Sequence, residues 1–180
     1  MSDIASELAK LHKLAGAEFI TQLKLITAHS EFHPLEDEKD IYVVGGEQSD
    51  DYVNLLTAAR KAVSHGFQVY ILPNPHEIRT ADFIFVRRGI YLMYDLKTVT
   101  GRNSVDNRLR ESVGQSNRVL LNITTDYSPS ALARSIKLYF ERNRNGLEVL
   151  VFKGKKYISV SRYLAESPGY YKILMKKYRK

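Results

Sequence analysis

Residues 81–97 read Ala81-Asp82-Phe83-Ile84-Phe85-Val86-Arg87-Arg88-Gly89-Ile90-Tyr91-Leu92-Met93-Tyr94-Asp95-Leu96-Lys97. Two apolar runs flank a short basic turn, and this pattern predicts a β-hairpin. Asp82 opens the first strand, whereas Asp95 and Lys97 close the second. In an antiparallel hairpin the start of one strand lies beside the end of the other, so we expect these three polar side chains to converge.

The composition indicates a soluble, globular protein. The chain has 180 residues, of which 44% are hydrophobic and 26% charged. No apolar run approaches the roughly 20 residues of a membrane-spanning helix. The first residues lack the basic start and apolar centre of a secretory signal, so we expect no export sequence. The sequence contains no cysteine, which excludes disulfides, thiolate zinc sites and cysteine nucleophiles.

The net charge points to an anionic partner. Lys and Arg number 27 against 20 Asp and Glu, which leaves a formal net charge of +7. The isoelectric point calculated from the sequence is about 9.5. Such an excess of positive charge favours binding to polyanions, and nucleic acid is the leading class. The alternative is a surface of solvated lysines with no nucleic-acid partner.

The hydrophobic pattern predicts an α/β protein with a mixed central sheet flanked by helices. Apolar residues recur at helical spacing over residues 4–28, and the polar segment 29–40 is predicted to be a linker. We therefore expect an N-terminal helical segment and linker over 1–40 and one further domain over 41–180. From residue 50 onward the predicted order is helix, strand, strand, strand, helix, strand, helix, strand, strand. The predicted helix after the hairpin covers residues 105–116.

The polar residues of the hairpin suit the hydrolysis of a phosphodiester bond. A divalent cation held by carboxylates neutralises phosphate charge and lowers the pKa of bound water. Asp82 and Asp95 are the candidate ligands. Lys97 leaves the same strand face as Asp95, where an ammonium group can orient the water or stabilise the transition state. The alternative is that both carboxylates face solvent and that Lys97 only pairs with one of them.

Further residues around the hairpin extend this pattern. A predicted helix precedes His65-Gly66-Phe67-Gln68-Val69, and the two strands contribute Ala81-Asp82-Phe83 and Tyr94-Asp95-Leu96-Lys97-Thr98. Together they resemble the PD-(D/E)xK nuclease superfamily, which has a restriction-endonuclease-like fold. The continuation Asn107-Arg108-Leu109-Arg110-Glu111-Ser112-Val113-Gly114-Gln115-Ser116-Asn117-Arg118-Val119 is similar to C-terminal tRNA nuclease domains of contact-dependent growth inhibition toxins. The resemblance covers residues 50–125.

The resemblance implies roles for individual residues. Asp82 and Asp95 would be metal ligands, and Lys97 would be the catalytic lysine with Thr98 adjoining the site. Gln115 would project from the following helix toward the metal. The implied cofactor is Mg²⁺, with Mn²⁺ or Zn²⁺ as alternatives.

The chain departs from the family pattern at two points. Ala81 stands where the superfamily often has Pro, and the usual upstream helical Glu is not evident. The candidates for this missing ligand are Glu47, Asp50, Asp51 and Glu77. Asp51 is preferred because it is expected to lie on the helix.

Arginines near the hairpin are candidates for phosphate binding, because a guanidinium group makes bidentate contacts. Arg102 and Arg108 are the preferred pair, with Arg110 and Arg118 nearby. The alternative is a solvated helix face on which Arg108 pairs with Glu111.

Two other segments have more than one interpretation. The tail 170–180 interleaves aromatic and basic residues, which suits base stacking. A basic amphipathic helix that docks Ile173 and Leu174 on the core is preferred. The second segment contains His76 and Glu77, which would be the catalytic residues in the alternative of a metal-independent ribonuclease.

These observations together predict a metal-dependent endonuclease. Its preferred substrate is RNA, in particular tRNA, rather than DNA, and an acidic immunity protein is a candidate partner. We expect such a toxin domain to act in the cytoplasm after delivery from a secreted or surface-bound parent. The alternative is a catalytically inactive basic module that binds nucleic acid or protein.

Overall fold

The computed structural model describes residues 2–46, 48–75, 78–101 and 105–180. The chain divides into two compact units, an N-terminal unit of Met1–Tyr94 and a C-terminal unit of Asp95–Lys180. Each unit combines helices with strands that pair in both parallel and antiparallel fashion. The predicted mixed α/β class is therefore confirmed.

The N-terminal unit contains three α-helices among its described residues, a short 3-10 helix at Lys10–Lys13, and the strands up to the first half of β5. The strands pair in the order β1-β2-β3-β4-β5, with β2 and β3 parallel and the other neighbours antiparallel. The elements are α1 (Ile4–Ala9), α2 (Gly16–Thr27), β1 (Phe32–Leu35), β2 (Glu38–Val44), α3 (Tyr52–Ser64), β3 (Gln68–Ile71), β4 (Phe83–Arg87) and β5 (Ile90–Val99).

The first two helices pack on the strands of their own unit. Leu8, Leu23 and Ile26 are fully buried in one cluster with Leu72 and Ile84. The predicted linker over 29–40 is wrong in its local structure, because β1 and the start of β2 occupy it. This hairpin escaped prediction because its residues are largely polar and only partly buried. The domain boundary at residue 40 stays a prediction.

A buried carboxylate anchors α1 to α2. Glu7 accepts hydrogen bonds from the Ser2 hydroxyl, from the Gln22 amide at 2.8 Å and from the Lys10 ammonium at 3.0 Å. These donors lower the pKa of Glu7 to about 2. The folded unit therefore favours the ionised form of Glu7.

Two glycines end elements where the sequence predicts it. At the end of α3, Gly66 has a φ of 90°, and the N–H groups of Gly66 and Phe67 donate to the carbonyls of Val63 and Ala62 at 2.9 and 3.2 Å. This pair of bonds satisfies carbonyls that a helix end leaves open. The turn between β4 and β5 has Arg88 at φ 53° and Gly89 at φ 75°, as a type I′ hairpin turn requires. The predicted hairpin is confirmed.

The C-terminal unit begins with the second half of β5 and ends with a basic helix. Its strands pair in the order β5-β6-β7-β8, with β5, β6 and β7 parallel and β8 antiparallel to β7. The further elements are α4 (Val105–Ser112), β6 (Arg118–Ile123), α5 (Pro129–Arg142), β7 (Glu148–Lys153), β8 (Lys156–Ser161), α6 (Arg162–Glu166) and α7 (Tyr170–Arg179). The predicted order of elements from residue 50 is confirmed up to β8.

Helices α4, α5 and α7 contribute to the core of the C-terminal unit. Leu109, Ile136 and Leu174 are each buried in one cluster with residues of β5 to β8. The tail is the predicted basic amphipathic helix, but the predicted docking of Ile173 is wrong, since 39% of its surface is exposed. Tyr170 and Tyr178 pack instead, one turn or more on either side of Leu174. In the described part of the chain, no helix is both long and apolar enough to cross a membrane.

Candidate functional site

Asp82 belongs to the N-terminal unit and immediately precedes β4. Its N–H donates to the Tyr94 carbonyl at 3.0 Å, and its own carbonyl accepts from the Leu72 N–H at 2.9 Å. Two flanking strands therefore fix its backbone. The residue is half-buried.

Asp95 and Lys97 form an ion pair in the C-terminal unit. The Asp95 Oδ2 and the Lys97 Nζ lie 3.4 Å apart, and their side chains are 2% and 16% exposed. This contact confirms that both side chains leave the same face of β5, as the strand period of two predicts. It also confirms that Asp95 is buried. The alternative, in which both carboxylates face solvent, is therefore wrong for Asp95. The ion pair between Asp95 and Lys97 is expected both for a catalytic site and for that alternative.

The face that carries this pair is the helix-covered face of the C-terminal unit. Asp95 is in register with Val119, and Lys97 with Leu121. Val119 and Leu121 are both fully buried in the core cluster with α4, α5 and α7. The pair therefore lies at the margin of an apolar core, where water screens charge poorly.

Tyr139 on α5 interacts electrostatically with Asp95, which the sequence does not reveal. Burial raises the pKa of the Tyr139 phenol, and the negative charge of Asp95 raises it further. Asn143 and Arg162 partly offset this increase. Within the described part of the chain, no group meets hydrogen-bonding geometry at the hydroxyl, which is fully buried. In the sequence Tyr139 is only one member of an apolar helix face, so no local signal marks it.

Two predicted residues lie in positions other than those expected. Gln115 is not on a helix, because α4 ends at Ser112 and Gly114 adopts a φ of 87°. It occupies the following turn, where its N–H donates to the Ser112 carbonyl at 3.0 Å. Thr98 is in register with Asn122, and strand alternation places it on the face opposite Lys97.

The predicted phosphate-binding arginines have carboxylate neighbours. Arg108 lies 3.3 Å from Glu111, as the solvated-helix alternative predicts. Arg118 lies 2.6 Å from Glu148, whose side chain is only 7% exposed. Arg110 pairs with Asp106 at 3.0 Å. Arg102 lies outside the described residues. Binding of substrate by Arg102 and Arg108 stays a prediction.

The third metal ligand also stays a prediction. Asp51 is exposed and precedes α3 rather than lying on it, so the reason for preferring it is wrong. Its Oδ1 accepts a hydrogen bond from the Asn54 amide at 2.5 Å. Glu47 and Glu77 lie outside the described residues, as does His76. Across residues 2–46, 48–75, 78–101 and 105–180, no three His, Asp or Glu side chains form a group that would hold a metal ion.

The residues nevertheless fit one kind of cation site. Mg²⁺ keeps several waters and is commonly bound through one or two carboxylates together with substrate phosphates. Asp95 would supply one such carboxylate, and a second ligand from Asp82 stays a prediction. Zn²⁺ fits less well, because a structural or catalytic zinc site needs at least three protein ligands.

The C-terminal unit thus has parallel strands under helices and an Asp-x-Lys pair on its first strand. That arrangement is compatible with an enzyme of the α/β class. A comparison with family models matches residues 80–157 to the contact-dependent growth inhibition CdiA C-terminal domain. The matched segment covers a little under half of the chain and includes both strands of the hairpin. No curated protein and no solved structure matches the chain.

The family match bears on the predicted resemblance. It supports the similarity to contact-dependent growth inhibition toxin domains, and it includes the Asn107–Val119 segment that carries this similarity. The PD-(D/E)xK superfamily and the nuclease activity stay predictions.

Proposed function

We propose that this chain is a metal-dependent endonuclease of the PD-(D/E)xK type that cleaves RNA, with tRNA as its first candidate substrate. The observation that carries the proposal is the buried Asp95–Lys97 pair, with 3.4 Å between Oδ2 and Nζ, within the segment matched to the toxin family. Apolar residues of similar volume often give a protein the same stability as a buried ion pair. Stability alone is therefore a weak reason for such a pair. Such pairs are common at functional sites.

Each predicted residue has a task in this proposal. Asp95 and Asp82 would hold the cation, and Lys97 stabilises negative charge on the phosphate or orients the attacking water. Such a cation, when bound, would polarise the phosphoryl oxygen and lower the pKa of its water. Arg102 and Arg108 bind phosphates of the substrate, and Gln115 assists at the site.

The proposal also includes a biological setting. The family match supports a toxin domain that is delivered from a surface-bound parent. We infer that this domain acts on RNA in the cytoplasm of the target cell. An immunity protein with an acidic surface would neutralise it, because the chain carries a net charge of +7.

The test is cleavage of total RNA, purified tRNA and plasmid DNA with Mg²⁺, Mn²⁺, Zn²⁺ or a chelator. We expect RNA cleavage that requires Mg²⁺ or Mn²⁺ and that falls at least 100-fold in Asp95→Asn, Lys97→Met and Asp82→Asn. The matched controls are Glu141→Gln and Lys172→Met, which change exposed side chains of the C-terminal unit and should leave the rate unchanged.

Two outcomes separate this proposal from its alternative. Cleavage that survives Asp95→Asn or Lys97→Met contradicts the proposed mechanism. Absence of cleavage for every polymer and metal, with salt-sensitive RNA binding intact, favours the inactive binding module. That module keeps one supporting observation, which is a basic cleft in the C-terminal unit.

A further inference from the structure

A basic cleft lies in the C-terminal unit, away from the Asp95–Lys97 pair. Its volume is about 840 Å³. The loop after β6, the turn between β7 and β8, and the end of α7 form its walls. The side chains that matter for its chemistry are Lys153, Lys155, Lys156, Lys180, Tyr127 and Tyr178. One side-chain carboxylate, that of Asp126, also lines it.

The β7–β8 turn concentrates positive charge at this cleft. Gly154 has a φ of 58°, which suits the first central position of a type II′ turn. Lys153 and Lys156 are therefore directly opposite each other on the two strands, and Lys155 is exposed at the tip. Like charges in this cross-strand position are destabilising. The arrangement is unfavourable by itself and would be relieved by an anion.

The carboxylate in the cleft does little to balance these lysines. Asp126 lies 3.8 Å from the Lys153 ammonium, and its side chain is fully exposed. Exposed pairs of this kind contribute little to stability, because water and salt screen the two charges. Among the described residues, neither Lys155 nor Lys180 forms an ion pair with a carboxylate. The cleft therefore keeps a net positive charge.

Two hydrogen bonds hold the end of α7 in the wall of the cleft. The Tyr178 hydroxyl donates to the Tyr127 carbonyl at 2.8 Å. The Lys156 ammonium donates to the Tyr178 carbonyl and lies 5.4 Å from the centre of its ring. Lys156 thus caps the carbonyl end of α7, where a cation is favourable. It has a structural role that the other three lysines lack.

Helix α5 adds to the positive field. It begins in the cleft wall, where the Ser128 hydroxyl accepts from the Ala131 N–H at 3.3 Å. The N-terminal end of a helix carries a partial positive charge. This end therefore reinforces the lysines rather than opposing them.

The strand register separates the cleft from the candidate catalytic pair. Val99 is in register with Ile123, Ile123 with Lys153, and Lys153 with Lys156. Asp95 lies four residues earlier on β5, which is about 13 Å along the strand. Three strand spacings from β5 to β8 add about 14 Å across the sheet. Lys156 is thus about 20 Å from Asp95, a distance of several nucleotides.

We propose that this basic cleft binds the phosphate backbone of RNA at a position remote from the cleaved bond. Both tyrosines are engaged in the fold, so the cleft offers ammonium groups rather than stacking surfaces. Contacts of this kind position a nucleic acid without reading its sequence. The proposal takes RNA as the ligand from the proposed function, but binding is measurable without cleavage.

The test measures RNA affinity in chelator, with the full chain and a fluorescent 20-nucleotide RNA or tRNA as probe. The cleft variant carries Lys153→Ala, Lys155→Ala and Lys180→Ala, and it keeps Lys156. The matched control carries Lys13→Ala, Lys39→Ala and Lys172→Ala, which removes three exposed lysines outside the cleft. Circular dichroism checks that both variants fold.

We expect the cleft variant to bind RNA roughly 10- to 100-fold more weakly at 0.15 M salt. The slope of log K against log salt should decrease by about 2, because each lost phosphate contact removes roughly 0.7–0.9 from it. The control should change both quantities much less. Equal losses in the two variants, or no loss in the cleft variant, overturn the proposal.

An acidic protein is the alternative occupant, and polyglutamate serves as its probe. Weaker binding of polyglutamate with unchanged binding of RNA identifies a protein-docking site and overturns the proposal. RNA binding by the Asp95→Asn variant tests the cleft separately from the proposed nuclease activity. An inactive wild-type protein that still binds RNA through the cleft contradicts the nuclease and leaves the cleft proposal intact.

Discussion

Substitution of Lys97 by methionine tests why the C-terminal unit keeps a buried ion pair. Methionine has a stem of similar length, so the change removes the ammonium group with little loss of packing volume. At 3.4 Å and an effective dielectric constant of 20, the attraction between the two charges is about 5 kcal/mol. Loss of one partner from a buried pair usually destabilises a protein by about 3–5 kcal/mol. We expect the free energy of unfolding to fall by about 3 kcal/mol, near the lower end of this range, because Lys97 is 16% exposed.

Urea unfolding followed by circular dichroism measures this loss, with the midpoint shift converted at a common slope. The matched control is Arg110→Met, since Arg110 lies 3.0 Å from Asp106 and its side chain is 58% exposed. That change should lower the free energy of unfolding by less than about 1 kcal/mol. The double variant Asp95→Asn with Lys97→Met should regain most of the stability, because no isolated charge is left buried.

Cleavage of RNA then distinguishes a catalytic pair from a structural one. Both single variants and the double variant should be inactive, although the double variant is nearly as stable as the wild type. A double variant that regains cleavage refutes the catalytic assignment. A Lys97→Met variant no less stable than the Arg110→Met control refutes the energetic argument from burial.

Three further outcomes are expected. The stabilisation from Glu7 should be present above pH 4.5 and be lost as the pH falls toward its folded pKa of about 2, so acid unfolding of Glu7→Gln should show a weaker pH dependence than that of Glu18→Gln. Gly146→Ala would place Cβ 2.9 Å from a Tyr139 ring carbon, and its thermal unfolding should show a loss of about 1–3 kcal/mol, whereas Gly45→Ala, with open space around Cβ, should show none. Tyr139→Phe removes a buried hydroxyl that forms no hydrogen bond among the described residues, so stability in urea should be kept, whereas a hydroxyl that acts beside Asp95 during the reaction should make RNA cleavage about tenfold slower when it is removed; an unchanged rate contradicts a role beside Asp95.

Local chemistry explains why much of the fold was predictable. The turn at Arg88-Gly89 and the helix end at Gly66 depend on φ values that few residues tolerate, so the sequence marks them directly. The helix α5 begins after Ser128, whose hydroxyl accepts a hydrogen bond from the Ala131 N–H. Residue types that cap helices in this way can be recognised from the sequence. The hairpin β1–β2 lacked a comparable signal, because residues 32–40 are largely polar and most residues of its strands are only partly buried.

The candidate site was predictable to the extent that it depends on strand geometry. A spacing of two residues places Asp95 and Lys97 on one face wherever the strand lies. Gln115 was misplaced because helix length depends on a marginal stop at Gly114, and helix ends are the least reliable part of such predictions. Tyr139 was missed because its electrostatic interaction with Asp95 joins residues that lie 44 positions apart in the sequence.

The amino-acid sequence alone is sufficient for the class of fold, the order of most elements and the Asp-x-Lys pair, because each depends on short-range pattern and backbone sterics. Burial of Asp95, the approach of Tyr139, the division at Tyr94–Asp95 and the gathering of lysines in the basic cleft depend on which distant segments pack together. Those contacts are set by the summed burial of apolar surface across the whole chain, and no local segment encodes that sum.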